Sequence, residues 1–474
     1  MPILPPVERL KEEFGLAEGA RLLVGLSGGP DSLAVTHALR AAGYALRPVH
    51  FDHQLRPESS EEQQRVATLA ADMGLDLVTG RGPVAAHAEV EQLSIEEAAR
   101  ILRYRFLFTE AAGWGADAVV VAHNADDQAE TVLMHLLRGA GLDGLSGMAP
   151  RSLPNPWSDS IPLVRPLLYT SRDAIEAYCQ AHDLQPIQDP SNEDVGFFRN
   201  RLRHELLPLL ADYNPQAKAH LAQSARILAA DQDLLEALTD TAWSQVLLAR
   251  DMNYLQFDRL ALRDQPLALQ GRLLRRAHAV LRPASREGSD FAAVERALDL
   301  LDQAFSAPQD WLDNLFILSE GAAFWVADWQ AELPRPWPQA PKDALAFEVP
   351  GALDLGGWQL TATEVPAEAA GLDNPDAFQA WLDADLAGAE LLVRRRQPGD
   401  RFQPLGLDGS QKLADVFINE KQPQRARDAW PLVCKGQDIL WVPGFRSAHA
   451  YRLRPDSRQA LHLRLQQASA NRVE

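Results

Sequence analysis

The chain has 474 residues, 46% of them hydrophobic, with a formal net charge of −19, a length that supports about two to four domains with separate cores. The acidic balance excludes a general nucleic-acid binder, which would be basic. Two cysteines, Cys179 and Cys434, lie too far apart in sequence for a CxxC redox pair and are too few for a disulfide scaffold or a Cys-rich zinc site of familiar spacing.

No apolar run reaches the length of a membrane span, and the start, Met1 to Pro6, lacks the charged and apolar regions of a signal peptide. A cytoplasmic protein with no membrane partner is expected. Arg21 to Leu26 is a short apolar run that reads as a buried strand. It runs into Ser27-Gly28-Gly29-Pro30-Asp31-Ser32, and Leu33 to Arg40 reads as the following helix. Glycines between a strand and a helix let backbone N–H groups approach a phosphate, and the helix N-terminus adds partial positive charge. Ser27 and Ser32 can donate hydroxyl hydrogen bonds, and Asp31 can hold a metal or a cation. No Lys follows the glycines, so this is neither of the common nucleotide loops. The plain alternative is an ordinary turn. SGGPDS resembles the phosphate-binding loop of the N-type ATP pyrophosphatases, which holds the leaving pyrophosphate of ATP while the α-phosphate is attacked.

Leu46 to His53 reads as a second strand, and Leu75 to Gly80 as a third. Ligands of open α/β sheets gather at strand carboxyl ends, so His50 and His53 are candidates for adenosine contact or strand-end capping. Ser94-Ile95-Glu96-Glu97 is a capping-box pattern opening a long helix. Arg100 and Arg103 share a face of that helix. They either form a solvated face or neutralise ATP or tRNA phosphate; Arg103 is taken as a catalytic candidate.

Asp117 to His123 is the fourth strand, leading into Asn124-Ala125-Asp126-Asp127-Gln128-Ala129-Glu130-Thr131 and a helix through Arg138. Asp127 and Glu130 point the same way. Acids that merely complement a helix dipole are the plain alternative. A carboxylate pair at a strand tip can instead hold Mg²⁺ or a cationic amine, with His123 beside it as a further nucleotide contact. Val164 to Leu168 reads as a last strand, Ser171 to His182 as a helix, and Asp189-Pro190-Ser191-Asn192 as a turn. A basic helix start follows, in which Arg199, Arg201 and Arg203 are candidates for RNA contact.

The ordered set SGGPDS, VHFDHQLR, EEAARILRYRF, AHNADDQAETVLMHLLRGAGLDGLSGM, RPLL and DPSNEDVGFFRNRLRHELLPLL covers most of residues 20–210. It resembles the tRNA(Ile)-lysidine synthetases. The family commonly has a second His where this chain has Asn124, and Gly where it has Gln54. The resemblance implies a doubly wound parallel α/β sheet in the N-terminal part, residues 1–215. It also implies ATP and Mg²⁺ as cofactors, with Asp31 and Asp127 as metal candidates and Asp31, Asp127, Glu130 and Arg103 as catalytic ones. Its substrates would be free L-lysine and tRNA(Ile) with a CAU anticodon, and it leaves room for a homodimer. In the implied reaction ATP adenylates the C2 oxygen of the wobble cytidine, pyrophosphate leaves, and the lysine ε-amine displaces AMP. A tRNA cytidine thiolase of the same loop family and a non-catalytic ATP-sensing RNA-binding protein are the alternatives. The isolated cysteines speak against the first and the acids against the second.

Pro215 to Ala230 reads as a connecting helix, and helical periodicity (Leu267 to Leu281, Phe291 to Phe305) marks a central domain over 216–335. That domain ends in a hairpin of Leu315–Leu318 with Phe324–Val326, before a Pro-rich linker from Pro334. A linker and β-rich connection spans 336–390. A small α+β module follows over 391–474, in which Lys and Arg outnumber Asp and Glu about two to one. Arg394, Arg395, Arg396, Arg401 and Lys412 are its candidates for RNA phosphate contact, and the segment RQPGDRF resembles the C-terminal domain of longer lysidine synthetases.

Overall fold

A computed structural model describes residues 10–54, 59–187, 198–283, 285, 290–371 and 376–468. The expected turn Asp189–Asn192 lies outside the described residues. The chain forms two compact units, Met1–Glu236 and Ala237–Glu474.

The first unit is built on a six-stranded sheet, order β3-β2-β1-β4-β6-β5. Its strands are β1 (Arg21–Gly25), β2 (Ala45–Asp52), β3 (Val78–Arg81), β4 (Ala118–Val120), β5 (Arg151–Ser152) and β6 (Leu163–Val164). All pairs are parallel except β5 with β6. Strand alternation sends Leu22 and Val24 to one face, where they pack with Val35, Leu39, Val120 and Ile175. Leu23 goes to the other, with Val49, Tyr104, Leu107 and Val119. Burial on both faces is why these strands read as continuous apolar runs. The helices that matter for the site are α1 (Pro30–Ala41), α2 (Ile95–Trp114), α3 (Ala125–Leu137) and α4 (Arg172–Ala181). β1 lies between β2 and β4, so the sheet changes winding direction at the β1/β4 boundary, where open α/β sheets place their ligands.

The expected strand Val164–Leu168 is shorter: β6 stops at Val164. Pro166 has no N–H to continue a ladder. The antiparallel edge strand β5 had no signal in its two residues. The connecting helix is longer than expected, Ala217–Val246.

The second unit begins with an antiparallel sheet, order β7-β8-β11-β10-β9. Its strands are β7 (Leu247–Arg250), β8 (Tyr254–Asp258), β9 (Gln309–Asp310), β10 (Leu315–Glu320) and β11 (Ala323–Asp328), with helices Leu267–Leu281 and Phe291–Leu301 alongside. The expected hairpin is β10–β11. Two further sheets close the chain. One joins β12 (Leu345–Glu348), β16 (Glu390–Arg394), β19 (Leu432–Lys435) and β20 (Asp438–Trp441). The other joins β13 (Gly351–Asp354), β14 (Trp358–Pro366), β21 (Gln459–Gln467) and β15 (Gln379–Asp383). Leu360, Leu382, Leu391, Val393, Val433, Trp441 and Leu463 share their core. Strands from before Leu391 therefore pair with strands after it: β12 with β16, and β14 with β21. A two-stranded ribbon, β17 (Arg401–Phe402) with β18 (Gln411–Lys412), stands apart from both sheets. Among the described residues no helix is long and apolar enough to cross a membrane.

Candidate active site

The loop after β1 is held in shape by its own side chains. The Ser32 hydroxyl donates to Gly29 O at 3.0 Å and accepts from Ser27 N–H at 3.2 Å, and the two hydroxyls lie 3.1 Å apart. Gly28 sits at φ +82°, where a Cβ would lie 2.7 Å from Ile187 Cδ1 and 3.1 Å from Val66 Cγ2. Only glycine satisfies both the backbone and the space. Gly29 is the N-cap residue of α1 and supplies no side-chain cap, while Pro30 opens the helix. The first-turn N–H groups of α1 are thus left for a ligand.

Asp31, in that first turn, is fixed from two sides. Asn124 Nδ2 donates to its Oδ1 at 3.0 Å, and Arg172 Nη1, at the start of α4, lies 2.7 Å from Oδ2. Asn124 is also the N-cap of α3: its Oδ1 accepts from the N–H groups of Asp126 (2.9 Å) and Asp127 (3.0 Å). Asp127 Oδ2 in turn accepts from Asn124 N–H at 2.9 Å, completing a capping box. One side chain therefore joins the loop carboxylate to the acid-bearing helix. Burial raises the pKa of both Asp31 and Asp127 above the ordinary value, against the opposing pull of Arg172 and Arg199 respectively.

Glu130, fully buried, is gripped by two arginines: Arg199 Nε on Oε2 and Arg203 Nε on Oε1, each at 2.6 Å. Asp127 Oδ1 shares both, at 2.9 Å from Arg199 Nη2 and 3.4 Å from Arg203 Nη2. This corrects the expectation that Arg199 and Arg203 face RNA: carboxylates 69–76 residues earlier in sequence take their guanidinium groups. Arg201 differs, with a 3.6 Å pair to Glu205 on an exposed surface.

The expected nucleotide histidines divide. His50 is buried, with Nδ1 3.0 Å from Leu26 O, so it ties β2 to the end of β1. His53 has an Nδ1 sealed from solvent without a partner; burial, then Arg103, pushes its pKa down to about 4. His123 has a sealed, unpartnered Nδ1 too, and burial followed by Arg165, Arg199, Arg103 and Arg100 keeps its ring neutral. Arg103 lies in the same neighbourhood with its Nε sealed and unpartnered.

In the second unit Arg394 is buried, bidentate to Asp400 at 2.8 and 2.9 Å. Its expected RNA contact is corrected: a guanidinium closed over by its own turn cannot meet a phosphate. Arg395 Nε donates to Ala340 O and Pro341 O, and Arg396 is paired with the exposed Asp428 at 2.6 Å. Arg401 and Lys412 are exposed and sit opposite each other across the β17–β18 ribbon. Like charges in register repel, and a polyanion would relieve that repulsion.

Sequence reasoning missed Arg172, which carries no motif, and Lys218, whose Nζ lies 2.7 Å from Asp126 Oδ2. It treated Asn124 as a departure, although Asn followed three residues later by an acid is a helix-start signal.

Residues 6–210 match the family described as PP-loop domain, and residues 391–465 the family described as TilS substrate C-terminal domain. The tRNA(Ile)-lysidine synthase of Symbiobacterium thermophilum is 37% identical over 96% of this chain and 96% of its own length. That of Geobacter sulfurreducens is 35% identical over 98% and 97%, and that of Dehalococcoides mccartyi 32% identical over 96% and 97%. With likeness running from end to end of each sequence, the chain belongs to the tRNA(Ile)-lysidine synthase family.

Proposed function

We propose that this chain uses ATP to adenylate the C2 oxygen of the wobble cytidine in tRNA(Ile) with a CAU anticodon, and then joins free L-lysine to C2 through its ε-amine. Pyrophosphate leaves in the first step and AMP in the second. The observation that carries the reading is the Asp31–Asn124–Asp127 linkage, which fastens a pyrophosphate-type loop to an acid-bearing helix in a chain matched along its length by lysidine synthases.

In this reading the loop Ser27–Ser32 holds the phosphates that depart, with backbone N–H groups and two hydroxyls facing the growing negative charge. Asp31 and Asp127 would hold Mg²⁺. The fit rests on Asp31, whose Oδ2 already faces one cationic group, Arg172. Mg²⁺ takes one or two carboxylates and completes its shell with phosphate oxygens and water. When bound it would neutralise charge on the phosphates. Lysine reaches the site as an ammonium and must lose a proton before attack. A carboxylate of the Asp127–Glu130 pair suits that proton transfer; both acids pair with the same two arginines, Arg199 and Arg203. The proposed catalytic residues lie in the first unit. Residues 1–215 carry the chemistry, and the C-terminal module adds RNA affinity through the Arg401–Lys412 ribbon. The cytoplasm supplies the ATP, lysine and tRNA that this reaction consumes.

The test is a pair of tRNA(Ile) transcripts differing only at the wobble base. Pyrophosphate release with the cytidine transcript and none with uridine is expected. Equal release with both would overturn the assignment of the base.

A further inference from the structure

The Pro-rich stretch after the antiparallel sheet of the second unit is a short joint. Leu333 belongs to the core of that sheet, with Phe316, Leu318 and Trp325. Trp337 already belongs to the core of the C-terminal module, with Phe402, Phe417 and Trp430. Between them lie only Pro334, Arg335 and Pro336. The Arg425 side chain crosses this joint. It stands on the short helix Gln424–Arg427 of the module and gives Nε to Glu320 Oε1 at 3.0 Å and Nη2 to Glu320 Oε2 at 2.5 Å. Glu320 ends β10, and its side chain is 7% exposed. The guanidinium carbon lies 5.7 Å from the centre of the Trp325 ring and 5.2 Å from that of Trp337, so one ring comes from each core. Arg425 Nη1 also donates to Leu333 O at 3.4 Å, and Nη2 to Pro334 O at 3.5 Å, where the joint begins.

A guanidinium fork on a carboxylate fixes distance and angle, and two aromatic faces fix the plane of the fork. A buried ion pair adds little stability over apolar packing, because taking both charges out of water offsets most of their attraction. Apolar side chains would hold the two cores together as well. What the pair supplies is a single arrangement, since a shift of one core against the other leaves a buried charge unmatched. Pro334 and Pro336 stiffen the chain at the same place. The exposed pair Arg401 and Lys412 lies on the module side of this clasp, and Phe402 of the same ribbon is rooted in the module core.

We propose that Arg425 is a positioning residue for tRNA: by clasping Glu320 it makes the antiparallel sheet and the C-terminal module one rigid arm, which presents the Arg401–Lys412 ribbon in a fixed place. This rests on the reaction proposed above, in which the module adds RNA affinity. Arg425 itself touches no substrate. An RNA held at one point meets a rigid second contact without a further ordering cost. A loose arm must be ordered on binding, and affinity falls by that amount. The clasp therefore acts on tRNA affinity and leaves adenylation and lysine attack alone.

The test uses the full chain, spin-labelled at Glu295→Cys, exposed on the helix Phe291–Leu301, and at Glu420→Cys, exposed after the helix Leu413–Asn419. The native thiols are buried and stay unlabelled. Wild type should give one narrow label-to-label distance. Arg425→Gln and Glu320→Gln should each broaden it and raise the tRNA Kd about tenfold, with Arg425→Lys, which keeps the charge and loses the fork, in between. The double variant should bind within about twofold of either single one, as partners in one contact do. kcat at saturating tRNA and KM for ATP should stay within about twofold of wild type. The proposal is overturned by a broad distance in wild type, by unchanged Kd in the folded variants whether or not the distance broadens, by additive losses in the double variant, or by a fall in kcat at saturating tRNA. A narrow distance in a wild type that binds no tRNA at all would count instead against the reaction.

Discussion

Two groups of arginines that look alike in sequence do different work in the two units. Arg199 and Arg203 sit in FRNRLRHELL, and Arg394 in VRRRQPGDRF; both stretches read as basic surfaces. In the first unit the arginines cross to Asp127 and Glu130, so a long-range pairing sets the acid groups of the site. In the second, Arg394 pairs six residues away with Asp400 and closes a turn. The number of cations in a stretch therefore does not measure its affinity for RNA. What counts is the charge left after internal pairing, which on the final module includes Arg401 and Lys412.

The largest effect expected lies at the loop. Asp31→Ala should lower ATP-dependent pyrophosphate release by about a thousandfold while the fold persists, because the side chain's two partners, Asn124 and Arg172, lie at the ligand face. Normal release by the folded variant would break the account of the first unit. Next comes the long-range pairing. Glu130→Gln leaves Arg199 and Arg203 facing a neutral group, and should cost about 3 kcal/mol in chemical denaturation of the first unit together with turnover. Unchanged stability would show that the pairing is not what holds these arginines.

The second unit gives a contrast. Arg394→Ala should destabilise by about 2 kcal/mol and leave the salt dependence of tRNA affinity as it was. Arg401→Ala with Lys412→Ala should do the reverse, changing stability by less than about 0.5 kcal/mol and reducing the salt slope by about one to two units. The opposite result would reassign the RNA contacts to the buried arginine.

A smaller effect is expected in the pH profile. The Asp31 and Asp127 pKa values are raised above 3.8, so as pH falls each takes up its proton earlier than an exposed Asp. The acid limb of pyrophosphate release should lie above the ordinary Asp value of 3.8, and Asp31→Asn should remove the share of Asp31 while leaving that of Asp127. A limb at the ordinary Asp value would contradict the burial of these groups. The smallest effect is at the thiols. Burial pushes Cys179 and Cys434 up to about 11, so neither is a thiolate at neutral pH. Cys179→Ser with Cys434→Ser should leave turnover within about twofold, and loss of activity in the folded double variant would revive sulfur chemistry.

Much of the first unit was legible because its signals are local. A buried parallel strand is an apolar run, a phosphate loop is a glycine turn between strand and helix, and a capped helix announces itself at Ser94. The partners of the acids were not legible, since Arg199, Arg203 and Arg172 reach them only through the fold. Strand pairing across Leu391 was hidden for the same reason: β14 and β21 are about a hundred residues apart and meet only in the sheet. The burial of Arg394 follows from its place on β16, with Leu391 and Val393 in the core beside it, and a run of three arginines gives no sign of which one turns inward.

The central claim is that the Asp31–Asn124–Asp127 constellation serves lysine transfer to RNA. The most direct measurement is to incubate the protein with ATP, labelled lysine and bulk tRNA and to follow the label. The account predicts ATP-dependent label in the RNA, located at the wobble cytidine of the CAU anticodon and abolished by Asp31→Ala. Active, folded protein that releases pyrophosphate from ATP yet leaves the RNA unlabelled would contradict it.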